Sequence, residues 1–214
     1  ESLAADRARG FDLATPPLLR LSLFILGDDI CQFTWTHHHL LLDGWSAAIV
    51  LQEVAALYQA YARSESLQLP RRRPFRDYIS WLREQNLPEA EQFWRRELRG
   101  LSAPTPLGSQ TSQAHSRRAE EQYQEMQVQL SRQSTEALQR FARSQQVTLN
   151  TMVQGAWALL LWRYSGEAEV VFGTVVSGRP AALEGVEQMV GMFINTLPVR
   201  VDVAEEQVVG EWLR

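Results

Sequence analysis

The sequence predicts an α+β fold on three observations: a leucine-rich hairpin pattern near its start, helical periods in both halves, and extended apolar segments among those helices. Leu18 to Phe24 alternates leucines with Arg20 and Ser22, Gly27-Asp28-Asp29 marks a turn, and Ile30 to His39 resumes an extended pattern. The two segments read as a β-hairpin. Strand side chains alternate, so Phe33, Trp35, His37 and His39 fall on one face and Gln32, Thr34, Thr36 and His38 on the other. Adjacent histidines therefore point to different pockets.

From Trp45 to Ala62, Trp45, Ile49, Val50, Val54, Leu57, Tyr58 and Tyr61 recur near the 3.6-residue period, which predicts a helix with Ser46 as a candidate cap. Two further helices are predicted over Phe75–Glu84 and Glu89–Leu98. Periodicity then gives way to Ser, Gln, Thr and Pro, and this change places a linker at 101–118 between one lobe at 1–100 and another at 119–214. In the second lobe, Tyr123 to Leu130 alternates like a strand. Ser134 or Thr135 is placed to cap a helix through Gln145, and Asn150 to Tyr164 reads as the next helix. Val170 to Val176 is a buried strand bounded by Gly166 and Ser177-Gly178, Phe193 to Val203 is extended, and a helix opens at Glu211.

With 214 residues, 45% of them hydrophobic, the chain has material for one large or two small cores, which excludes global disorder. Its 21 basic and 25 acidic residues give no field that would draw it onto nucleic acid. Arg71-Arg72-Arg73, flanked by Pro70 and Pro74, reads as a solvated loop. All 21 basic residues are arginine, which fits a GC-rich codon bias and excludes any lysine-dependent mechanism. The single cysteine, Cys31, is expected to pack as a small apolar residue; alone it builds neither a disulfide nor a cysteine-based zinc site. No apolar run approaches the roughly 20 residues that cross a bilayer, and Glu1 to Arg7 lack a signal peptide's apolar core. The chain reads as a soluble protein of a bacterial cytoplasm, with no membrane partner. It begins without methionine and stops inside a helical pattern, so it is expected to be a fragment.

The run His38-His39-Leu40-Leu41-Leu42-Asp43-Gly44 falls where a strand passes into a helix. An imidazole displayed there, near its ordinary pKa of about 6.5, exchanges a proton at neutral pH as a general base must. Asp43 is placed to fix the loop or orient the ring, and Gly44 to permit close backbone approach or a positive φ. Metal binding needs three or four convergent ligands, whereas His38 points away from its neighbours and His115 lies in the linker, so no metal site is expected. No Gly-x-Ser-x-Gly elbow supports a serine hydrolase. Spacing alone leaves a purely structural strand histidine as an equal alternative.

The string Thr36-His37-His38-His39-Leu40-Leu41-Leu42-Asp43-Gly44-Trp45-Ser46 resembles the HHxxxDG signature of the condensation domains of non-ribosomal peptide synthetases. Phe75-Arg76-Asp77-Tyr78-Ile79-Ser80-Trp81 is similar to the family's Y-x-D-[FY]-A-V-W element, with Phe in place of the first Tyr. Gly191-Met192-Phe193-Ile194-Asn195-Thr196-Leu197-Pro198-Val199-Arg200 resembles its G-x-F-[VI]-N-T-x-x-x-R element. HHxxxDG alone is shared across a wide acyltransferase superfamily; the three elements in this order are specific, and the resemblance covers essentially the whole chain.

The resemblance implies an αβ sandwich of two chloramphenicol acetyltransferase-like lobes in a V-shaped pseudo-dimer, truncated here at both ends. It implies peptide antibiotic biosynthesis, in which donor and acceptor peptidyl carrier protein domains bring thioesters on 4'-phosphopantetheine and an adenylation domain works in the same assembly line. The domain itself would bind no cofactor. His39 would position or deprotonate the acceptor amine, Asp43 would hold the turn, and the Gly44 amide would polarise the developing oxyanion. His38, Trp45 and Ser46 would be structural members of the motif, with Trp45 and Trp81 in the core, while Asn195 and Arg200 would line or brace the tunnel and Asp77 would cap or salt-bridge. The arginine that commonly pairs with the motif aspartate is expected upstream of this chain, leaving Asp43 without its partner.

Four other readings compete. An ester-forming acyltransferase of the superfamily would lack the second and third elements, and an epimerisation domain departs from Asp-Gly-Trp-Ser. A cyclisation domain would replace the histidine pair with aspartates. A recruitment module that binds carrier proteins without turnover would not need His39, Asp43 and Gly44.

Overall fold

Leucines at every second position of residues 19–25 build one edge of the first sheet. In the computed structural model, which describes residues 2–107, 126–203 and 206–214, β1 (Leu19–Ile25) pairs antiparallel with β2 (Cys31–His37), Leu21 opposite Trp35 and Leu23 opposite Phe33. The predicted hairpin forms, but β2 stops at His37, so His38 and His39 lie beyond the ladder. Its Leu19, Leu21, Leu23 and Ile25 side chains are exposed, whereas Arg20 and Ser22 on the other face are half-buried. Arg20 is held there by Asp6, by the Gly10 carbonyl and by the face of the Phe11 ring. Asp6 belongs to α1 (Ser2–Arg9), a polar helix whose apolar positions are too few to mark it in the sequence. Cys31 is exposed rather than packed, because it sits at the turn end of the hairpin.

The chain groups by contact into two units, Glu1–Leu87 with Val175–Thr196, and Pro88–Thr174 with Leu197–Arg214. The first unit continues with α2 (Gly44–Ala62) and α3 (Phe75–Arg83), both at their predicted places. Its core gathers Leu183, Val186, Met189 and Phe193, with Phe75, Tyr78 and Trp81 of α3 packed against them. Arg72 bonds Glu53 of α2 and the Gln188 carbonyl, and Arg73 bonds Asp77 and the Glu184 carbonyl. Arg72 and Arg73 are therefore ties within the unit, while Arg71 is exposed as expected of a solvated loop.

The second unit holds α4 (Leu87–Glu97), α5 (Arg132–Ser144), α6 (Leu149–Ser165) and α7 (Val209–Trp212), with most of β3 (Glu169–Val176) and β4 (Asn195–Asp202), which pair with each other. α5 is capped by the Ser131 hydroxyl, which accepts from the Ser134 amide three residues on; neither Ser134 nor Thr135 is the cap, because both already lie inside the first turn. Thr148 caps α6 in the same way, and Gly166 at φ 74° closes its end in the left-handed conformation that glycine adopts without strain. Ala158 and Leu161 of α6 pack on Val170 and Val203. The strand predicted over 123–130 does not form across 126–130: among the described residues no ladder runs there, and Met126, Val128 and Leu130 are exposed. Residues 123–125, most of the linker 101–118 and His115 lie outside the described residues.

Leu161 is 4% exposed and its chain neighbour Leu160 is 49% exposed. Leu161→Ala is therefore expected to cost about 2–5 kcal/mol, and Leu160→Ala under about 1 kcal/mol, in urea unfolding. Equal losses would contradict this placement of the core.

Candidate active site at the histidine turn

Asp43 ends the turn with extended backbone and caps α2, its Oδ1 accepting the Ser46 amide at 2.7 Å. The expected cap, Ser46, is instead the residue being capped. Its hydroxyl donates to the Gly191 carbonyl at 2.8 Å and accepts from the Gly191 amide at 3.0 Å and from Arg179 Nη2 at 2.9 Å. Asp43 Oδ2 accepts the Phe193 amide at 3.1 Å, and Arg179 Nη2 approaches both carboxylate oxygens at 3.3 and 3.5 Å. The ion-paired side chains of Arg179 and Asp43 are 4% and 1% exposed. Removing two charges from water is costly unless further hydrogen bonds satisfy them; here Arg179 Nη1 also donates to the Val186 and Met189 carbonyls, and its guanidinium lies 3.9 Å from the Phe193 ring centre. The partner of Asp43 is thus Arg179 of this chain, not an upstream arginine. A guanidinium at a distant sequence position suffices because the chain returns beside the helix start after β3.

Burial pushes the Asp43 carboxyl up, but the Ser46 amide and side chain, the Phe193 amide and the Arg179 charge together hold it below the ordinary carboxylate range. Burial alone raises the Tyr78 hydroxyl.

The three sequence elements meet around this pair. The Phe75 ring stands edge-on to Phe193 at 5.0 Å between centres, and Tyr78 packs on Phe193 at 4.7 Å. A Cβ on Gly191 would enter the Phe75 ring, so only glycine lets the Phe75 element close on the Gly191 element. Gly178, at φ 61°, meets the same limit against the Phe193 carbonyl, immediately before Arg179. Gly44 carries neither property expected of it: it has no positive φ, and no atom lies within 4 Å of where a Cβ would stand. It opens α2 beside unfilled space. Trp45, expected in the core, is 55% exposed and donates its indole N–H to the Glu187 carbonyl, because the second position of the helix faces outward.

The histidines diverge. His37 lies against Trp35 at 4.7 Å with its Nδ1 buried and unpartnered. His38 is half-buried beside Phe11, and its Nδ1 accepts the Leu40 amide. His39 stands in the turn with its side chain exposed. Of the remaining expected site residues, Asn195 accepts the Thr196 amide with its own side chain. Arg200 donates to the Glu97 and Arg99 carbonyls and to Glu169, and its hydrogen bond holds the Glu169 carboxyl below its usual range. Asp77 pairs with Arg73 at 2.9 Å. Among the described residues no group of three His, Cys, Asp or Glu converges as a metal site, and no helix is long and apolar enough to cross a membrane.

The family described as Condensation domain matches residues 1–214. The chain belongs to that family. It is 52% identical over 212 residues to one linear gramicidin synthase polypeptide of Brevibacillus parabrevis and 49% identical over 209 residues to another, covering 99% and 98% of this chain and 4% of each relative. Bacitracin synthase 3 of Bacillus licheniformis is 40% identical over 214 residues, 99% of this chain and 3% of its own length. The chain therefore spans only a small part of these curated relatives. Among solved structures, the first condensation domain of the CDA synthetase superposes with TM-score 0.73 at 21% identity, over 99% of this chain and 47% of that one. The epimerization domain from the third module of tyrocidine synthetase B does so with TM-score 0.77 at 20% identity, over 99% and 48%. At such identities the likeness shows the chloramphenicol acetyltransferase-like α+β fold alone.

Sequence pattern gives Arg179 no prominence, since it is one of 21 arginines. Its one local signal is its place between Gly178 and Pro180 just after β3, where a positive φ and a fixed φ aim the chain; that strand, expected to be buried, buries only Val170, and Val175 is exposed.

Asp43→Asn is expected to cost about 3–5 kcal/mol, because it leaves the Arg179 charge buried without its counter-ion. The folded carboxyl lies below its unfolded value, so the unfolded state binds more protons in acid. Its contribution is complete above the ordinary value of about 3.9 and is lost as pH falls through the lower folded value. Urea titrations at several pH values check both points; an acid slope unchanged in Asp43→Asn would contradict the assignment.

Proposed function

We propose that this chain is the histidine-bearing part of a condensation domain that joins two carrier-bound thioesters by an amide bond. What supports the reading most is the division of labour in the HHxxxDG run: every Asp43 oxygen is engaged by Ser46, Phe193 and Arg179, while the His39 side chain is exposed on the turn before it. The relatives that share 40–52% of its residues are named linear gramicidin and bacitracin synthases, and the matching family is described as Condensation domain, which supports amide formation.

In this reading both substrates are thioesters on the 4'-phosphopantetheine arms of a donor and an acceptor carrier domain, the acceptor's amino acid having been activated by an adenylation domain of the same bacterial cytoplasmic assembly line. The acceptor amine attacks the donor carbonyl. The N–C bond forms, the C–S bond breaks, and the proton lost by nitrogen reaches the departing thiolate. His39 accepts a hydrogen bond from the amine and carries that proton. The Gly44 amide, at the positive end of α2, faces the developing oxyanion. Asp43 touches no substrate. Arg200, occupied by two carbonyls and Glu169, braces rather than binds. In this reading 1–100 and 119–214 are the chain's shares of the two lobes and 101–118 is the linker, although contacts within the chain group Val175–Thr196 with Glu1–Leu87.

In the synthetase that carries this sequence, with donor and acceptor carriers loaded, His39→Ala is expected to lower the rate of dipeptidyl product, read by mass spectrometry, by about 10²–10⁴-fold. An unchanged rate would remove His39 from the chemistry, and faster acylation of free alcohols than of the carrier-bound amine would favour ester formation.

A further inference from the structure

The residue before His39 holds the turn through three of its own polar atoms. The His38 amide donates to the Leu18 carbonyl at 2.9 Å, extending the hairpin by one rung, and the His38 carbonyl accepts the Leu41 amide at 3.1 Å, closing a four-residue turn. Its Nδ1 accepts the Leu40 amide at 3.1 Å. That last bond spans two residues, as the side-chain oxygen of Asn or Asp does in an Asx-turn, and here an imidazole nitrogen takes the oxygen's place. His39 is the second residue of the turn, between the acceptor at 38 and the donor at 40.

The ring is itself located. It meets the Phe11 ring edge to face at 6.2 Å, and Phe11 carries the Arg20 guanidinium 4.1 Å from its centre. Arg20 is in turn bonded to Asp6 and to the Gly10 carbonyl. A nitrogen that accepts an N–H bears no proton, so the hydrogen of the neutral ring sits on Nε2.

We infer that His38 is a positioning residue for His39: its imidazole, accepting the Leu40 amide at Nδ1 and located by Phe11, fixes the turn that presents the His39 side chain to the amine. The inference rests on the function proposed for His39. The Leu40 amide is exposed, so water satisfies it when the acceptor is lost; the fold persists and the turn loosens. A displacement near 1 Å at a reacting group costs on the order of 10²-fold in rate.

His38→Asn places Oδ1 where Nδ1 stood and keeps the acceptor; His38→Ala removes it. In the synthetase with both carriers loaded, His38→Asn is expected to keep kcat within about threefold of the parent. His38→Ala is expected to lose about 10- to 100-fold in kcat with KM for the acceptor carrier within about twofold, and its thermal unfolding midpoint should stay near the parent's. Should His38→Ala fail to fold, His38→Gln, whose carbonyl reaches past the Leu40 amide, takes its place with the same expectation. The inference is overturned if His38→Asn is as slow as the variant without the acceptor, if His38→Asn does not fold, or if the variant without the acceptor matches the parent. His39→Ala run alongside separates the two layers, since a parental rate there sinks the proposed chemistry and this inference with it, whereas a slow His39→Ala beside a slow His38→Asn sinks only the positioning role.

Discussion

The buried pair of Asp43 and Arg179 is the constraint on which the rest of the first unit depends. A carboxylate and a guanidinium this far from water persist only where further hydrogen bonds satisfy most of their polar atoms; here the buried Nε of Arg179 is left without one. The partners are the start of α2, the carbonyls of Val186 and Met189, and the backbone at Gly191 and Phe193. One ion pair thus joins a helix cap, a strand exit and a loop well over a hundred residues apart in sequence. Breaking either charge strands the other, so the ensemble holds or fails together.

That arrangement separates two roles compressed into one short motif. The aspartate is saturated by structural partners, so it cannot also orient an imidazole. The His39 side chain stays exposed on a turn that is held from elsewhere, by the hairpin at Leu18 and by the ring of His38. A motif whose letters look like a catalytic dyad is, in space, an exposed imidazole standing on a structural lock.

Much of the secondary structure was legible in the sequence, because Leu18–Phe24 and Ile30–His37 alternate and α2, α3 and α6 keep a helical period. What was not legible depends on contacts that no local pattern encodes. Arg179 looks like any other arginine until Gly178 and the Phe193 carbonyl bring it against Asp43. Trp45 shares the helical period of the apolar residues that follow it, yet the helix start turns it outward to Glu187. Met126 to Leu130 alternates like a strand, but alternation describes a face and not a partner. Leu19, Leu21 and Leu23 show the same limit in reverse: they pair as predicted and still expose their apolar side. Ser134 and Thr135 stand beside the apolar run, yet a cap must lie two or three residues before the amide it accepts, and that place belongs to Ser131.

The most direct measurement of whether the Asp43–Arg179 pair organises this site is a double-mutant cycle in urea unfolding with Asp43→Asn, Arg179→Gln and both together. Groups that act as one unit give a coupling energy near the top of the 0.5 to 3 kcal/mol range typical of contacting residues, roughly 2–3 kcal/mol here, with the double variant falling short of the sum of the single losses by that amount. Single losses that add to within about 0.5 kcal/mol would show two independent residues and contradict the account.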